Sequence, residues 1–271
     1  MGKRDGQTGM HAELLGFGVG GDGQLGLRSA GETQFISAPE HIIGAPCGNS
    51  GVSVLSVACG ERHTVFLAED GKLWSVGGND KGQLGRGNTS VGSFTIYPVS
   101  STTSAKFIQI SSGRAHSCAV TDDGRLFAWG DNSNGQCALP SEKLHQESPK
   151  RIPLNEVIQV ACGPDHTVSL LENGRVFVWG LSHDGASVHT PREVTELLGV
   201  PVISVHAGGR HWAALSASGE VMMWGKNEYG QLGTGDTNFR PQATVITALS
   251  TMRIVDIALG EYSMLNILIL S

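Results

Sequence analysis

The sequence has few cysteines and no long apolar run, and each shortage excludes a class of protein. Its five cysteines are an odd number and form no Cys-x-x-Cys pair, so a secreted disulfide framework is not indicated. No apolar stretch approaches about 18 residues, which excludes a membrane-spanning helix, and residues 1–6 lack the apolar core of a signal peptide. We therefore expect a reduced intracellular protein, in the cytoplasm or alternatively in the nucleus or the cilium.

Basic residues and prolines are also scarce. The chain has 19 Lys and Arg against 25 Asp and Glu, a net charge of -6, and its densest basic runs are the pairs at 3–4 and 150–151. Nucleic-acid binding is not expected, because phosphate contacts need clustered Lys and Arg. Glycine, in contrast, accounts for 38 of 271 residues, about twice its average usage of about 7%. Abundant glycine with little proline favours a fold with many tight turns.

The most informative feature is an internal repeat of about fifty residues. A Gly-x-x-His pattern ends at His63, His116, His166 and His211, and the fifth equivalent position is Ser263. The steps between these positions are 53, 50, 45 and 52 residues. Each His precedes an Asp-Gly, Asn-Gly or Ser-Gly pair and then an aromatic-Gly or Val-Gly pair, and Gly-Gln-Leu-Gly occurs at 23–26, 82–85 and 230–233. Markers in a fixed order at near-fixed spacing indicate tandem structural units.

Each unit predicts strands rather than helices. In the first full unit, apolar runs cover 54–58, 63–67 and 72–76, and Asp70-Gly71 lies between the last two. Asp-Gly between apolar runs is typical of a tight β-hairpin, because its turn needs positive φ. Only 193–198 indicates a helical turn. Four short strands per repeated unit predict an all-β protein, a β-propeller of four-stranded blades.

The repeat frame closely resembles that of the regulator of chromosome condensation family. The shared motifs are Gly-x-x-His, a glycine hairpin, Trp-Gly at 129–130, 179–180 and 224–225, and Asn-x-x-Gly-Gln-Leu-Gly, over about residues 14–270. Residues 123–136 also resemble the retinitis pigmentosa GTPase regulator branch. The resemblance implies a propeller that binds proteins in small-GTPase regulation.

We predict a tail at 1–13 and one propeller domain at 14–271 with about five blades. The repeat units are 14–53, 54–106, 107–156, 157–201, 202–253 and a partial unit at 254–271. The first unit carries the late part of a repeat and the last carries the early part. Either the two halves join into a fifth blade and close the ring, or the chain is a shortened form of the seven-blade ring usual in the family. The apolar ending at 264–271 favours the second arrangement.

Several patterns that suggest chemistry have simpler structural explanations. Gly16-x-Gly18-x-x-Gly21 matches a dinucleotide-binding pattern, but no helix is expected to follow it, so we interpret it as a turn. The four histidines occupy one position in four different blades and cannot all reach one ion. Cys59 and Cys162 are equivalent small residues that we expect to be buried. We expect no catalytic residue, cofactor or metal.

The histidines and four glycines are interpreted as structural residues of the repeat. These positions are His63, His116, His166, His211, Gly77, Gly130, Gly180 and Gly225. The two residues before each histidine vary, and we expect them to gather around the central channel on one face. The candidate partner-binding residues there are Arg62, Arg114, Asp165, Arg210 and Tyr262, and the three arginines with Tyr262 favour an acidic protein partner.

Three functions follow from these observations. The first is a protein-interaction scaffold linked to small-GTPase regulation, since a rigid ring that presents variable loops is suited to recognition. The second, by analogy with the family's founder, is guanine-nucleotide exchange on a small GTPase, although 27–53 and 86–106 indicate no added hairpin for it. The third is the propeller of a larger signalling or ubiquitin-ligase protein. The sequence identifies neither the partner nor the oligomeric state.

Overall fold

The computed structural model describes residues 14–27, 35–42, 53–90, 92–100 and 103–268. The tail predicted at 1–13, Cys47 and residues 269–271 lie outside these ranges. The described chain is all-β, as predicted, with twenty strands and two short 3-10 helices. Four antiparallel sheets each take four consecutive strands, so every blade is one continuous piece of sequence.

The strands of the four complete blades have the following bounds. The first blade contains β3 (Val54–Cys59), β4 (His63–Ala68), β5 (Leu73–Gly77) and β6 (Ser93–Pro98). The second contains β7 (Phe107–Ser112), β8 (His116–Thr121), β9 (Leu126–Asp131) and β10 (His145–Arg151). The third contains β11 (Val157–Cys162), β12 (His166–Leu171), β13 (Val176–Leu181) and β14 (Ser187–Glu193). The fourth contains β15 (Val202–Ala207), β16 (His211–Ser216), β17 (Val221–Gly225) and β18 (Arg240–Val245).

Two further sheets contain only two strands each. The N-terminal half-sheet pairs β1 (Leu15–Val19) with β2 (Phe35–His41), and the C-terminal half-sheet pairs β19 (Ile254–Leu259) with β20 (Met264–Leu268). Among the described residues no hydrogen-bonded ladder joins β20 to β1. The alternative in which the two halves pair into one closing blade is therefore not the arrangement of this structure.

The hairpins form where the turn residues predicted them. Gly71 has a φ of +78°, and the backbone N–H of Lys72 donates to Asp70 Oδ1 at 3.1 Å. β4 and β5 then pair from His63 opposite Gly77 to Leu67 opposite Leu73. Because β4 runs between the two turns that flank it, the connection before His63 and the hairpin at 69–72 lie on opposite faces of the molecule.

The hydrophobic core lies between consecutive blades. Val65 and Leu67 of the first blade pack with Phe107, Ile110 and Trp129 of the second, and equivalent clusters fill the next junctions. Each blade thus buries one face against the next. This is the face-to-face packing of a propeller, in which the inner strands surround a central channel.

Two local expectations are revised by the structure. Residues 15–19 form β1, so the Gly16-x-Gly18-x-x-Gly21 pattern lies largely in a strand rather than in a turn. The helical turn predicted at 193–198 is confirmed as a 3-10 helix at Thr195–Leu197, and a second at Thr247–Leu249 was not predicted.

Candidate functional site

Five short connections meet around one cavity at the centre of the molecule. Each links an inner strand to the strand that starts at the histidine position or, in the fifth case, after Ser263. Their glycines are Gly60, Gly113, Gly163, Gly208 and Gly260. The cavity has a volume of about 620 Å³ and also contacts Glu61, Arg114 and Glu261. The variable positions of the repeat therefore border one shared opening.

Backbone hydrogen bonds tie neighbouring connections together. The N–H of Glu61 donates to the carbonyl oxygen of Arg114 at 3.2 Å, and the N–H of Arg114 donates to the carbonyl oxygen of Pro164 at 2.9 Å. These two bonds join the first three of the five connections around the cavity.

Most of the charges on this rim are already paired. Arg114 lies between two carboxylates, with Nε 3.3 Å from Glu61 Oε2 and Nη1 3.3 Å from Asp165 Oδ2. The guanidinium of Arg62 forms a two-bond pair with Asp22, which reaches in from the preceding half-sheet. This hydrogen bond from Arg62 lowers the pKa of Asp22, since the charged carboxylate accepts it.

Arg210 differs from the other two arginines. No side-chain hydrogen bond or ion pair of its guanidinium is formed within the described part of the chain, and its side chain is partly exposed. The ten variable positions of the five connections hold three arginines, and they hold three acidic residues, Glu61, Asp165 and Glu261, for a net charge of 3 − 3 = 0. The rim is thus polar and neutral rather than basic.

A second cavity of about 380 Å³ extends outward from this rim. Arg114, Asp165, Arg210 and Tyr262 all border it, together with Tyr229. The rings of Tyr229 and Tyr262 meet edge to face with centroids 5.1 Å apart, and both side chains are mostly exposed. Four of the five partner-binding candidates therefore share one surface, whereas Arg62 lies apart beside Asp22 in a smaller cavity.

Sequence reasoning missed Asp22 and Tyr229 on this face. Tyr229 precedes Gly-Gln-Leu-Gly, where the equivalent residues are Lys81 and Asn134, so it is a variable position inside a recurring frame. The criterion that selected Arg62 and Arg210 would also have selected Tyr229. Asp22 occupies the same variable position before Gly-Gln-Leu-Gly at 23–26, but its contact with Arg62 spans forty residues of sequence and could not be predicted.

The four histidines are buried at four different junctions between blades. His63 Nε2 lies 2.8 Å from Ser117 Oγ, and His116 Nε2 lies 3.0 Å from Thr167 Oγ1. In each case the partner is the residue after the histidine of the next blade. His166 instead meets the ring of Trp212 edge to face, with centroids 4.7 Å apart. Burial lowers the pKa of His166 to about 3, so the imidazole stays neutral.

The glycine after each aromatic or valine has a defined steric role. Gly180 and Gly225 have φ of +94° and +107°, and a Cβ there would approach the carbonyl oxygens of Asp165 and Arg210 to 2.6 and 2.5 Å. The equivalent positions Gly77 and Gly130 also have positive φ. A side chain at these positions would push on the rim connection itself.

The cysteines depart from the expectation that both are buried. Cys59 is exposed and Cys162 is partly exposed, whereas Cys118 is buried. Both Cys59 and Cys162 end an inner strand and border the central cavity, which gives them a path to solvent that a core position lacks.

Together these features define a propeller that presents a polar, aromatic face around its channel. Residues 13–268 match the RCC1-like domain family, and the chain belongs to that family. No helix in the described ranges has the length and apolar character needed to span a membrane.

Several curated proteins share this repeat. The mouse X-linked retinitis pigmentosa GTPase regulator is 36% identical over 260 residues, which are 92% of this chain and 25% of the relative. The human protein of the same name is 41% identical over 128 residues, 47% of this chain and 12% of the relative. The human regulator of chromosome condensation is 36% identical over 132 residues, 46% of this chain and 28% of the relative. The matched part thus spans less than a third of each relative's length.

Solved structures show the same fold. Yeast RCC1 (Prp20), in a structure with Kap60, has a TM-score of 0.61 at 18% identity and covers 98% of this chain and 83% of that chain. Human WBSCR16 has a TM-score of 0.57 at 22% identity, with 94% and 81% covered.

Proposed function

We propose that this chain is a protein-interaction scaffold in small-GTPase-linked regulation and that it binds its partner through the face around the channel. The observation that carries this proposal is the shared surface of Arg114, Asp165, Arg210, Tyr229 and Tyr262. Arginine and tyrosine are enriched at interface hot spots, and here they border one cavity. The site of action is inside the cell, in the cytoplasm, the nucleus or the cilium.

The names of relatives support the link to GTPases. Two of them are GTPase regulators by name, and Prp20p of Saccharomyces cerevisiae has been studied for its binding to Gsp1p and histones. We assign no catalytic role to any side chain of the face. Guanine-nucleotide exchange and membership of a larger ligase, as in the probable E3 ubiquitin-protein ligase HERC6, are the alternatives.

The charges on the rim indicate what kind of protein surface the partner presents. Arg62 and Arg114 already have carboxylate partners, so Arg210 is the arginine most available to an acidic group. In the described ranges, a bound protein would meet Arg210 as a cation without an ion-pair partner, beside two aromatic rings and a set of compensated charges. We therefore expect a partner with a carboxylate near an apolar patch, rather than a broadly acidic surface.

The test is affinity capture from cell lysate with the full chain, compared with the variant Arg210→Glu/Tyr262→Ala. The matched control is Arg125→Glu, because Arg125 lies by the hairpin on the opposite face and pairs with Asp123. Partners bound by this face should be retained by the control and weakened more than about tenfold by the variant, or about 1.4 kcal/mol. Equal capture by all three proteins would exclude this face.

A nucleotide-release assay on a panel of small GTPases separates scaffold from exchange factor. Binding without faster release supports the scaffold. Accelerated release that the double variant abolishes would instead assign exchange activity to the same face.

A further inference from the structure

Three equivalent positions meet at every junction between blades. They are the histidine, the residue two places after it, and the last residue of the next inner strand. From the first junction to the last they hold His63, Val65 and Ser112; His116, Cys118 and Cys162; His166, Val168 and Ala207; and His211, Ala213 and Leu259. The strands that carry them pack against each other in each case. Valine, alanine, serine and leucine therefore satisfy the packing at three junctions.

The second junction alone carries three metal-ligating side chains at these positions. One ring nitrogen of His116 and the sulfurs of Cys118 and Cys162 all lie within 4.8 Å of one another. Among the described residues, this is the one group of three His, Cys, Asp or Glu side chains whose ligand atoms lie close enough to bind one metal ion. Because other junctions pack without thiols at these positions, packing alone does not explain the two cysteines.

The geometry suits a small thiophilic cation. Zinc–ligand bonds of about 2.0 Å to nitrogen and about 2.3 Å to sulfur place these ligand atoms about 3.5 to 3.8 Å apart around one tetrahedral ion. The three donor atoms need to close by at most about 1.3 Å to reach that arrangement. Two thiolates and a neutral imidazole would also cancel the charge of a divalent ion, so the filled site would be neutral inside the core.

The surroundings supply an orienting partner and an entry path. His116 Nε2 lies 3.0 Å from Thr167 Oγ1, while Nδ1 has no hydrogen-bond partner in the described structure. A hydrogen bond from one ring nitrogen commonly orients a histidine that ligates metal through the other. Cys162 borders the central cavity, which lets an ion reach the site from solvent.

We infer that His116, Cys118 and Cys162 form a three-ligand zinc site that links the second blade to the third. This site is distinct from the four-histidine site that the sequence excludes, because it uses one histidine with cysteines of two blades. An exogenous ligand such as water would complete the coordination, as in zinc sites with three protein ligands.

The test uses the full chain, stripped with a chelator and titrated with zinc chloride against a chromophoric zinc indicator. The variants are Cys118→Val and Cys162→Ala, which reproduce the residues of the third junction and so preserve its packing. Cys59→Ser is the matched control, because Cys59 is the repeat equivalent of Cys162 and borders the same cavity. Circular dichroism verifies that each variant is folded.

The expected result is one equivalent of bound zinc in the wild type and in Cys59→Ser. Each ligand variant should lose affinity by more than about 100-fold, beyond the 10–100-fold typical of outer-sphere changes. Cobalt substitution should add a thiolate charge-transfer band that both ligand variants abolish. Equal zinc binding by wild type and ligand variants, or no stoichiometric binding by the wild type, would overturn the assignment.

Discussion

Each repeat histidine is buried, and for three of them one residue of the next blade decides what the ring contacts. Ser117 and Thr167 supply hydroxyls to His63 and His116, whereas Trp212 supplies a ring to His166. The contact crosses the junction in each case. The histidine that recurs in the repeat thus also holds two blades together.

Replacing His63 with alanine should destabilise the fold by about 1–3 kcal/mol, because the buried Ser117 hydroxyl loses its 2.8 Å contact with the imidazole and keeps only a 3.5 Å contact with Ser112 Oγ. The double variant His63→Ala/Ser117→Ala should cost less than the sum of the single changes. Urea unfolding of the four proteins measures the coupling. Strict additivity would show that the two side chains do not interact across the junction.

The buried histidines also predict how stability depends on pH. Burial lowers the pKa values of His63 and His166 to about 3 and that of His211 to about 4, from an ordinary 6.5. As the pH falls below 6.5, the unfolded chain binds protons that the folded chain does not. Stability that is complete above 6.5 is therefore lost as the pH falls toward the folded values, by up to about 1.4 kcal/mol per histidine per pH unit.

Urea midpoints measured between about pH 7.5 and about pH 5.5 check this slope. We expect a steady decrease, reduced in a His211→Gln variant. A midpoint that is constant or rises over this range would contradict neutral buried histidines.

At the scale of the strand, the tryptophan-glycine pair joins one blade to the loop of the preceding one. Trp129 and Trp179 are buried, and their Nε1–H groups donate at 2.9 Å to the carbonyl oxygens of Gln83 and Gln136. Those glutamines belong to the Gly-Gln-Leu-Gly motif or its weakened version. The Trp-Gly pair and the Gly-Gln-Leu-Gly motif, which are separate in the sequence, are thus joined by one hydrogen bond between neighbouring blades.

Trp129→Phe should be more destabilising than Trp212→Phe by about 0.5–1.5 kcal/mol. Both changes remove a similar volume from a buried position, but Trp212 Nε1 has no hydrogen-bond partner in the described structure. Comparing the two unfolding free energies isolates the hydrogen bond to Gln83. Equal losses would show that packing alone accounts for the tryptophan.

The strands could be predicted because their signals are local. Asp70-Gly71 fixes a hairpin between two apolar runs, and the spacing of His63 and His116 fixes the unit. The contacts of Arg62 with Asp22 and of Cys118 with Cys162 could not be predicted, because they depend on how one blade is rotated against the next. Repeat periodicity orders the blades but does not specify the side chains that meet between them.

At the scale of the molecule, the N-terminal half-sheet presents an apolar face. Leu15, Phe17 and Val19 alternate along β1 and share one side, and Phe35 of β2 pairs directly opposite Val19. All four side chains are largely exposed. The sequence did not reveal this face, because strand alternation does not show which sheets remain unpaired.

An exposed apolar face predicts self-association, and so does the edge of β1, which pairs with no strand other than β2 among the described residues. The variant Phe17→Ser/Phe35→Ser should shift this chain toward the monomer in size-exclusion chromatography over a range of concentrations. Leu144→Ser is the control, because Leu144 is similarly exposed in a loop of the second blade. An unchanged elution profile for the double variant would show that this face does not drive association.

For the partner binding that we propose, the paired charges on the rim also determine the association rate. A face with no net charge produces little long-range attraction, so an approaching protein arrives by ordinary diffusion, at about 10⁵–10⁶ M⁻¹s⁻¹. Added salt then changes the association rate very little. Selectivity in the proposed complex then arises after contact, from the fit of the incoming carboxylate to Arg210 beside the two tyrosine rings, and it is measured in the dissociation rate.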